Sequence, residues 1–370
     1  MNIAVLGSVF GDEGKARIVH DFSPDHNWVI RWNGGQNAGH TIYRDGKKYV
    51  HNLLPSIDFR NSSIKGFLAS GMVIDLDHLL FEIKESSKDF PNVGSRIYVD
   101  PDTFIVSPEH KEIDKSTNAH IGSTNRGIGP AYSDKINRKG VRIQDLINQN
   151  SEKITALKNV GVQFKTVLEM RSEFSKSNLL FEGAQGILLD INHGTYPFVS
   201  CSDCTVSGIY CSGFNWVKLN KVYGIAKAYT TRVGNGPFPT EYFNDEAEQL
   251  RIKGKEFGAT TGRPRRIGAI DLPAMRYAVA KGGIDTLIIT KLDVLNGCKT
   301  VKVCTEYQSE PVSGSDFFSA EPKYIEMPGW VDSKSSKEIN EFINLIEKEV
   351  GMSVDYISTG VNPEDLVKRK

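Results

Sequence analysis

The chain has 370 residues, 39% of them apolar, which is enough for one large core or for two domains. Lys+Arg and Asp+Glu both number 45, so the formal net charge is zero and no basic excess favours a nucleic-acid partner. No apolar run approaches the ~18 residues of a membrane span. The five cysteines are sparse and odd in number, which fits a reducing cytoplasm. A cytoplasmic protein with no membrane and no nucleic-acid partner is expected.

In chain order, Ile3-Ala4-Val5-Leu6 predicts a short buried strand, and Ala16 to Val19 begins a helix. Between them lies the glycine-rich turn Gly7 to Lys15. Trp28 to Trp32 predicts a second strand, running into a second glycine-rich turn from Asn33 to Thr41. Strands are expected at Tyr49 to Leu54, Ile64 to Leu68 and Arg96 to Val99, with a helix from Asp77 to Lys84. The polar stretch Ser107 to Ser123 has helical character, and the glycines and proline of Gly122 to Pro130 argue against a helix there. Arg142 to Phe174 repeats at helical spacing. Later strands are expected at Leu179 to Glu182, Lys221 to Thr231, Thr286 to Thr290 and Asp355 to Ser358, and helices at Pro273 to Ala280 and Lys337 to Val350. Apolar strands alternating with helices predict an α/β fold, a central mainly parallel sheet flanked by helices, with large functional loops. No internal repeat or linker divides the chain, so residues 1–370 are read as one domain.

Strand, glycine-rich turn, helix is an arrangement that aims backbone N–H groups at a phosphate. Gly7 to Lys15 has this form but is not a Walker A loop, because Gly7 is too far from Gly14 and Ala16 follows Lys15. Lys15 supplies a mobile positive charge. Asp12 and Glu13 would repel a phosphate unless they bind Mg²⁺ or move a proton. The competing reading is an ordinary glycine-rich turn. Thr290-Lys291-Leu292-Asp293 ends a buried strand with a carboxylate able to accept from guanine N1–H and its 2-amino group. The alternative is a surface ion pair at a strand end; with the phosphate turn, a GTP site is the better reading. Gly258 to Arg266 carries three arginines and two threonines and suits an anion. His40 lies in a glycine-rich turn, a placement that suits catalysis. Cys201, Cys204 and Cys211, with His193, only superficially suggest a zinc site, and ordinary small residues are the preferred reading.

These motifs, taken together, resemble the adenylosuccinate synthetase family along nearly the whole chain. The matching stretches include Gly11 to Lys15, Gly34 to Thr41, Arg126 to Tyr132, Phe181 to Gly186, His193 to Pro197, Thr231 to Gly234, Gly236 to Glu241, Glu256 to Arg263, Thr290 to Leu295 and Ser358 to Gly360. The resemblance implies a P-loop-related fold and a GTP- and Mg²⁺-dependent ligase. Such an enzyme phosphorylates the 6-oxo group of a purine nucleoside monophosphate and displaces the phosphate with L-aspartate. It implies Asp12 and His40 as catalytic residues, with Asp12 and Gly39 as metal ligands. GTP would be held by Gly11, Glu13, Gly14, Lys15, Gly39, Thr41, Lys291, Asp293, Ser358 and Gly360. The purine monophosphate would be held by Asn37, Thr124, Arg138, Gln185, Ser200, Val233 and Arg263, and aspartate by Thr260, Thr261, Arg263 and Arg265. It also implies a homodimer in which Arg138 reaches the partner's site.

Departures from the family pattern cluster at the first turn. Val9, Phe10, Ala16, Arg17 and His20 replace its usual residues, Asn125 and Ser200 stand further on, and the chain is short for the family. The retained Asp12 favours IMP as substrate. The alternative is dGMP, the substrate of the related phage PurZ branch, with Val9 in place of glutamine leaving room for a 2-amino group. An inactive or regulatory GTP-binding protein is a further alternative, although no switch threonine can be assigned.

Overall fold

The computed structural model describes residues 1–44, 46–117, 119–258, 262–334 and 336–369. Among these residues the largest sheet has ten strands. In chain order they are β1 (Ile3–Gly7), β2 (Trp28–Arg31), β3 (Lys65–Leu68), β4 (Ile97–Val99), β5 (Gln163–Phe164), β6 (Leu179–Glu182), β7 (Lys221–Lys227), β8 (Thr286–Thr290), β9 (Val354–Ser358) and β10 (Leu366–Lys368). Their spatial order is β10-β9-β8-β7-β1-β6-β2-β3-β4-β5. Every pairing is parallel except β9 with β10.

Successive strand residues point to opposite faces, and here both faces are covered. Ile3 and Val5 of β1 enter one hydrophobic core with Val29, Leu180 and Ile225. Ala4 and Leu6 enter the other, with Trp28, Ile30, Phe67 and Phe181. Two buried faces leave no polar alternation, which is why these strands read as continuous apolar runs. The flanking helices begin at local caps. Asp75 accepts from the backbone of Asp77 and His78 to start the helix Leu76–Ser87, and Ser336 accepts from Ile339 N to start Lys337–Val350.

Several expectations need correction. The second glycine-rich turn ends earlier than expected: His40–Arg44 is a strand paired antiparallel with Lys47–His51, and Asn52 to Leu54 lies outside it. A helix does start inside the glycine-rich stretch, at Ile128–Ile136. Gly127 takes φ 76° before it, and Pro130 sits in the first turn, where its missing N–H costs nothing. Lys221 to Thr231 is two strands, β7 and Thr230–Arg232, the second paired with Arg266–Gly268. Arg142 to Phe174 holds three short helices and β5. A further sheet, Ile270–Asp271 with Thr300–Tyr307 and Pro322–Pro328, was not anticipated. No described helix is long and apolar enough to cross a membrane.

The parallel strands bring six loops to one edge. The carboxyl ends of β1, β2, β6, β7, β8 and β9 are Gly7, Arg31, Glu182, Lys227, Thr290 and Ser358, and each opens into or borders a predicted site loop. In open α/β sheets this edge is where ligands bind. The β1 and β6 loops touch closely: a Cβ on Gly7 would lie 2.2 Å from the Gln185 carbonyl oxygen, and one on Gly186 would lie 2.5 Å from Gly11 N. Gly7→Ala is therefore expected to destabilise the protein by about 1–3 kcal/mol, because the obstacle is backbone. Urea denaturation checks this, and wild-type stability would show that the two loops can separate freely.

Candidate active site

The first turn is built around its own glutamate. Glu13 Oε1 accepts from Val9 N at 3.0 Å and Gly11 N at 2.9 Å, and Oε2 lies 3.0 Å from Lys15 Nζ. Glu13 and Lys15 are both about 4% exposed. The sequence suggested a mobile lysine and a repelling carboxylate, but the two neutralise each other inside the loop. Thr290 Oγ1 donates to the Glu13 carbonyl at 2.7 Å and ties the turn to the end of β8. Gly11, Asp12 and Gly14 all take positive φ (79°, 59° and 93°), and the chain then enters helix α1 (Lys15–Phe22).

Asp12 is the carboxylate this turn leaves outside. Its side chain is 33% exposed, and Oδ2 lies 2.9 Å from Arg265 Nε. Arg265 Nη1 donates to Glu256 Oε2 at 2.5 Å. Glu256 is fully buried and also accepts from Lys227 Nζ at 2.9 Å and Tyr229 Oη at 2.5 Å. Burial opposes ionisation of Glu256, but Lys227 and Arg265 outweigh it and hold the carboxyl down at about 2. Burial also brings Lys227 down to about 8. A buried charge network therefore stands behind the Asp12–Arg265 pair.

His40, at the start of its strand, is 5% exposed, with Nδ1 2.5 Å from Glu182 Oε1. Glu182, the last residue of β6, is fully buried and accepts from Ser56 N at 2.8 Å and Ser56 Oγ at 2.5 Å. Burial would raise its pKa, but His40, Arg31 and Ser56 prevail and hold it at about 2. Burial lowers the pKa of His40 itself. Arg31 is fully buried and donates to the Asn52 carbonyl.

The remaining predicted residues are spread over several loops. Asn37 Oδ1 accepts from Gly35 N at 3.1 Å, and a Cβ on Gly34 would lie 3.2 Å from Gln185 Oε1, so the β2 and β6 loops meet. Gln185 Oε1 is buried with no partner among the described residues. Ser200 Oγ lies 3.3 Å from Ser202 Oγ, which Asn33 Nδ2 reaches at 3.5 Å. Arg263 Nη2 donates to the carbonyls of Gly122 at 2.9 Å and Ser123 at 3.3 Å, next to Thr124. Gly234, following Val233, packs on Gly122. Arg138 is exposed beyond the helix Ile128–Ile136, with φ 61°. At the far end, Lys291 takes φ 65° and Nζ donates to the Gly254 carbonyl at 3.0 Å; Asp293 is half-buried. Ser358 Oγ accepts from Arg17 at 2.6 Å, and the Gly360 carbonyl accepts from the same nitrogen at 2.8 Å. Gly39 and Thr41 flank His40. Thr260 and Thr261 lie outside the described residues.

Sequence reasoning gave no role to Glu182, Arg31, Glu256 or Lys227. Glu182 and Glu256 stood in motifs noted for other residues. A charged residue inside an apolar strand, as in Leu179-Leu180-Phe181-Glu182, was the signal that could have found the first.

For Mg²⁺, the donor chemistry fits. Asp12 offers a partly exposed carboxylate and Gly39 a carbonyl, and Mg²⁺ favours one or two protein oxygens with water and substrate phosphates completing its shell. Among the described residues no three His, Cys, Asp or Glu groups are placed to form a metal cage. Cys204 is buried and Cys211 exposed. Val9, only 6% exposed, lines a cavity with Phe10, Lys227, Thr231, Ile270 and Met275.

A parallel sheet whose loops converge on a phosphate-type turn defines a nucleotide-binding α/β protein. The sequence carries the identification further: an adenylosuccinate synthetase family model matches residues 4–172 and 153–367. The adenylosuccinate synthetase of Petrotoga mobilis is 43% identical over 411 residues, covering 99% of this chain and 97% of its own. That of Finegoldia magna is 42% identical over 412 residues, covering 100% and 98%. The fully ligated adenylosuccinate synthetase from Plasmodium falciparum superposes with a TM-score of 0.88 at 31% identity, over 100% of both chains. The cyanophage S-2L succinoaminodeoxyadenylate synthetase (PurZ), bound to dGMP and dATP, gives 0.74 at 22% identity over 99% and 95%, a likeness of fold alone. The chain belongs to the adenylosuccinate synthetase family, and it is a ligase that forms a C–N bond.

The buried network allows a stability test. Glu256→Gln leaves Lys227 buried without its counter-charge and is expected to cost about 3–5 kcal/mol. Because Glu256 is held at about 2 against an ordinary 4.5, its contribution is complete above pH 4.5 and is lost as pH falls toward 2. Chemical denaturation at several pH values checks both, and an unaltered midpoint at neutral pH would contradict them.

Proposed function

We propose that the chain joins L-aspartate to C6 of IMP, forming adenylosuccinate, with GTP as phosphoryl donor. The placing of Asp12 carries this reading: a carboxylate at positive φ between Gly11 and Gly14, partly exposed while its neighbour Glu13 is buried. Asp12 takes the N1 proton of the purine. O6 then attacks the γ-phosphorus, its bond to GDP breaks, and a 6-phosphoryl intermediate forms. The amine of aspartate adds at C6, and inorganic phosphate leaves. The Asp12 carboxylate and the Gly39 carbonyl would hold Mg²⁺, which would supply charge neutralisation at the phosphates.

His40 stabilises the charge that develops during transfer. Glu182 is its positioning residue: engaging Nδ1 leaves Nε2 as the reactive nitrogen. The first turn holds GTP phosphates, and Lys291 and Asp293 read guanine. Asn37, Thr124, Gln185, Ser200, Val233 and Arg263 hold IMP; the unpartnered Gln185 Oε1 supports this. Arg263, Arg265, Thr260 and Thr261 take aspartate, whose carboxylate draws Arg265 from Asp12. The exposed Arg138 completes the partner's site in a homodimer working in the cytoplasm.

The test offers IMP, GMP and dGMP separately with GTP, Mg²⁺ and aspartate, and weighs the products. Adenylosuccinate from IMP is expected; succinylated product from dGMP alone would overturn the reading. Asp12→Asn should lower turnover about 10²-fold or more with GTP binding retained. Glu182→Gln should lower kcat about tenfold or more with KM little changed, and wild-type kcat in that variant would remove its positioning role.

A further inference from the structure

Arg17 joins two ends of the site that no short segment of chain connects. It lies on α1, two residues beyond Lys15 of the phosphate turn. Asp21 Oδ2, one turn further on, accepts from its Nε at 2.7 Å and fixes the plane of the guanidinium. Nη1 donates to Ser358 Oγ at 2.6 Å and to the Gly360 carbonyl at 2.8 Å, and Nη2 donates to the Asn362 carbonyl. One side chain thus takes three acceptors, one from the end of β9 and two from the loop that follows it.

That loop also has anchors of its own: Pro363–Asp365 forms a short 3-10 turn, Thr359 and Asp365 are buried, and Ser333 Oγ donates to the Thr359 carbonyl at 3.3 Å. β9 ends at Ser358, and the chain must turn back before β10. Within the loop, the Asp365 carboxylate accepts from Asn362 N at 3.0 Å and its carbonyl accepts from Thr359 N at 2.9 Å. Ser358 Oγ, besides accepting from Arg17, donates to the Gly360 carbonyl at 3.0 Å. Its hydroxyl proton is therefore spent on the shape of the loop.

Resting on the reading of Ser358 to Gly360 with Lys291 and Asp293 as the base end of the GTP site, we propose that Arg17 is a positioning residue that sets specificity for the purine of the phosphoryl donor. Its fork fixes the base loop to the helix that begins at the phosphate turn. The distance between phosphate and base contacts is thereby set before ligand arrives. Discrimination between guanine and adenine depends on donors and acceptors held within about 0.5 Å of their working positions. A lysine, a point charge without the planar fork, can keep only part of this arrangement.

The experiment measures kcat and KM for GTP and for ATP, at saturating IMP and aspartate, in the wild type and in Arg17→Ala, Arg17→Lys and Asp293→Asn. Arg17→Ala is expected to raise KM for GTP about tenfold, to leave kcat within about threefold, and to narrow the preference for GTP over ATP. Arg17→Lys should fall between and serves if the alanine variant does not fold. A folded Arg17 variant with unchanged KM and unchanged preference, or with kcat alone reduced, overturns the proposal. The Asp293→Asn arm separates the two levels. If it abolishes the preference while the Arg17 variants keep it, only the Arg17 proposal fails. If it leaves the preference intact, the base-end reading itself fails.

Discussion

The Glu13 carboxylate holds three partners at once: the backbone N–H groups of Val9 and Gly11, and the Lys15 ammonium. A glycine-rich turn left to itself has many conformations, and ordering it costs entropy. Buried charge-assisted hydrogen bonds offset that cost and select one shape. In that shape Glu13 is inside, Asp12 is outside, and α1 starts where Lys15 is already committed. Thr290 then locks the turn to the strand that carries the Lys291 and Asp293 segment.

The same logic recurs twice more at this edge of the sheet. Glu182 sits between His40, Ser56 and Arg31, and Glu256 between Lys227, Tyr229 and Arg265. Each carboxylate is fully buried, each is held ionised by several partners, and each lies one side chain behind a group proposed to meet substrate. Buried ions are costly without such partners, so each cluster tolerates little rearrangement. The sheet supplies the geometry that makes this workable. Its parallel strands end together, so segments far apart in the chain deliver their charges to one place.

Eight of the ten central strands were legible because both faces are buried, and Ile3 to Leu6 or Thr286 to Ile289 can hardly be anything else; β5, inside a stretch read as helical, and β10 are short and mostly exposed and were missed. The Gly7 to Lys15 turn and the Thr290 to Asp293 segment were legible because glycine and charge fall at fixed offsets from those strands. The orientation within the turn was not. Asp12 and Glu13 are adjacent carboxylates, and only the positive φ of Asp12 and the folded loop separate their fates. The partners of Glu182 and Glu256 come from distant strands, so no local pattern announces them. The hairpin His40–Arg44 with Lys47–His51 was half legible: a strand was expected from Tyr49, but its start at two exposed lysines and its pairing with His40–Arg44 were missed. Thr300–Tyr307 did carry a legible signal, since its first four residues alternate exposed and buried.

The central claim is that an internal carboxylate shapes the nucleotide turn. Calorimetric titration of GTP into Glu13→Ala and Glu13→Gln, with thermal unfolding followed in parallel, tests it most directly. The account predicts that the alanine variant stays folded and loses GTP affinity by about tenfold or more, equivalent to about 1.4 kcal/mol. The glutamine variant, which keeps an acceptor for both N–H groups, should lose less. Wild-type or tighter binding by a folded Glu13→Ala would contradict the account, because it would mean that Glu13 only masks Lys15 and does not build the site.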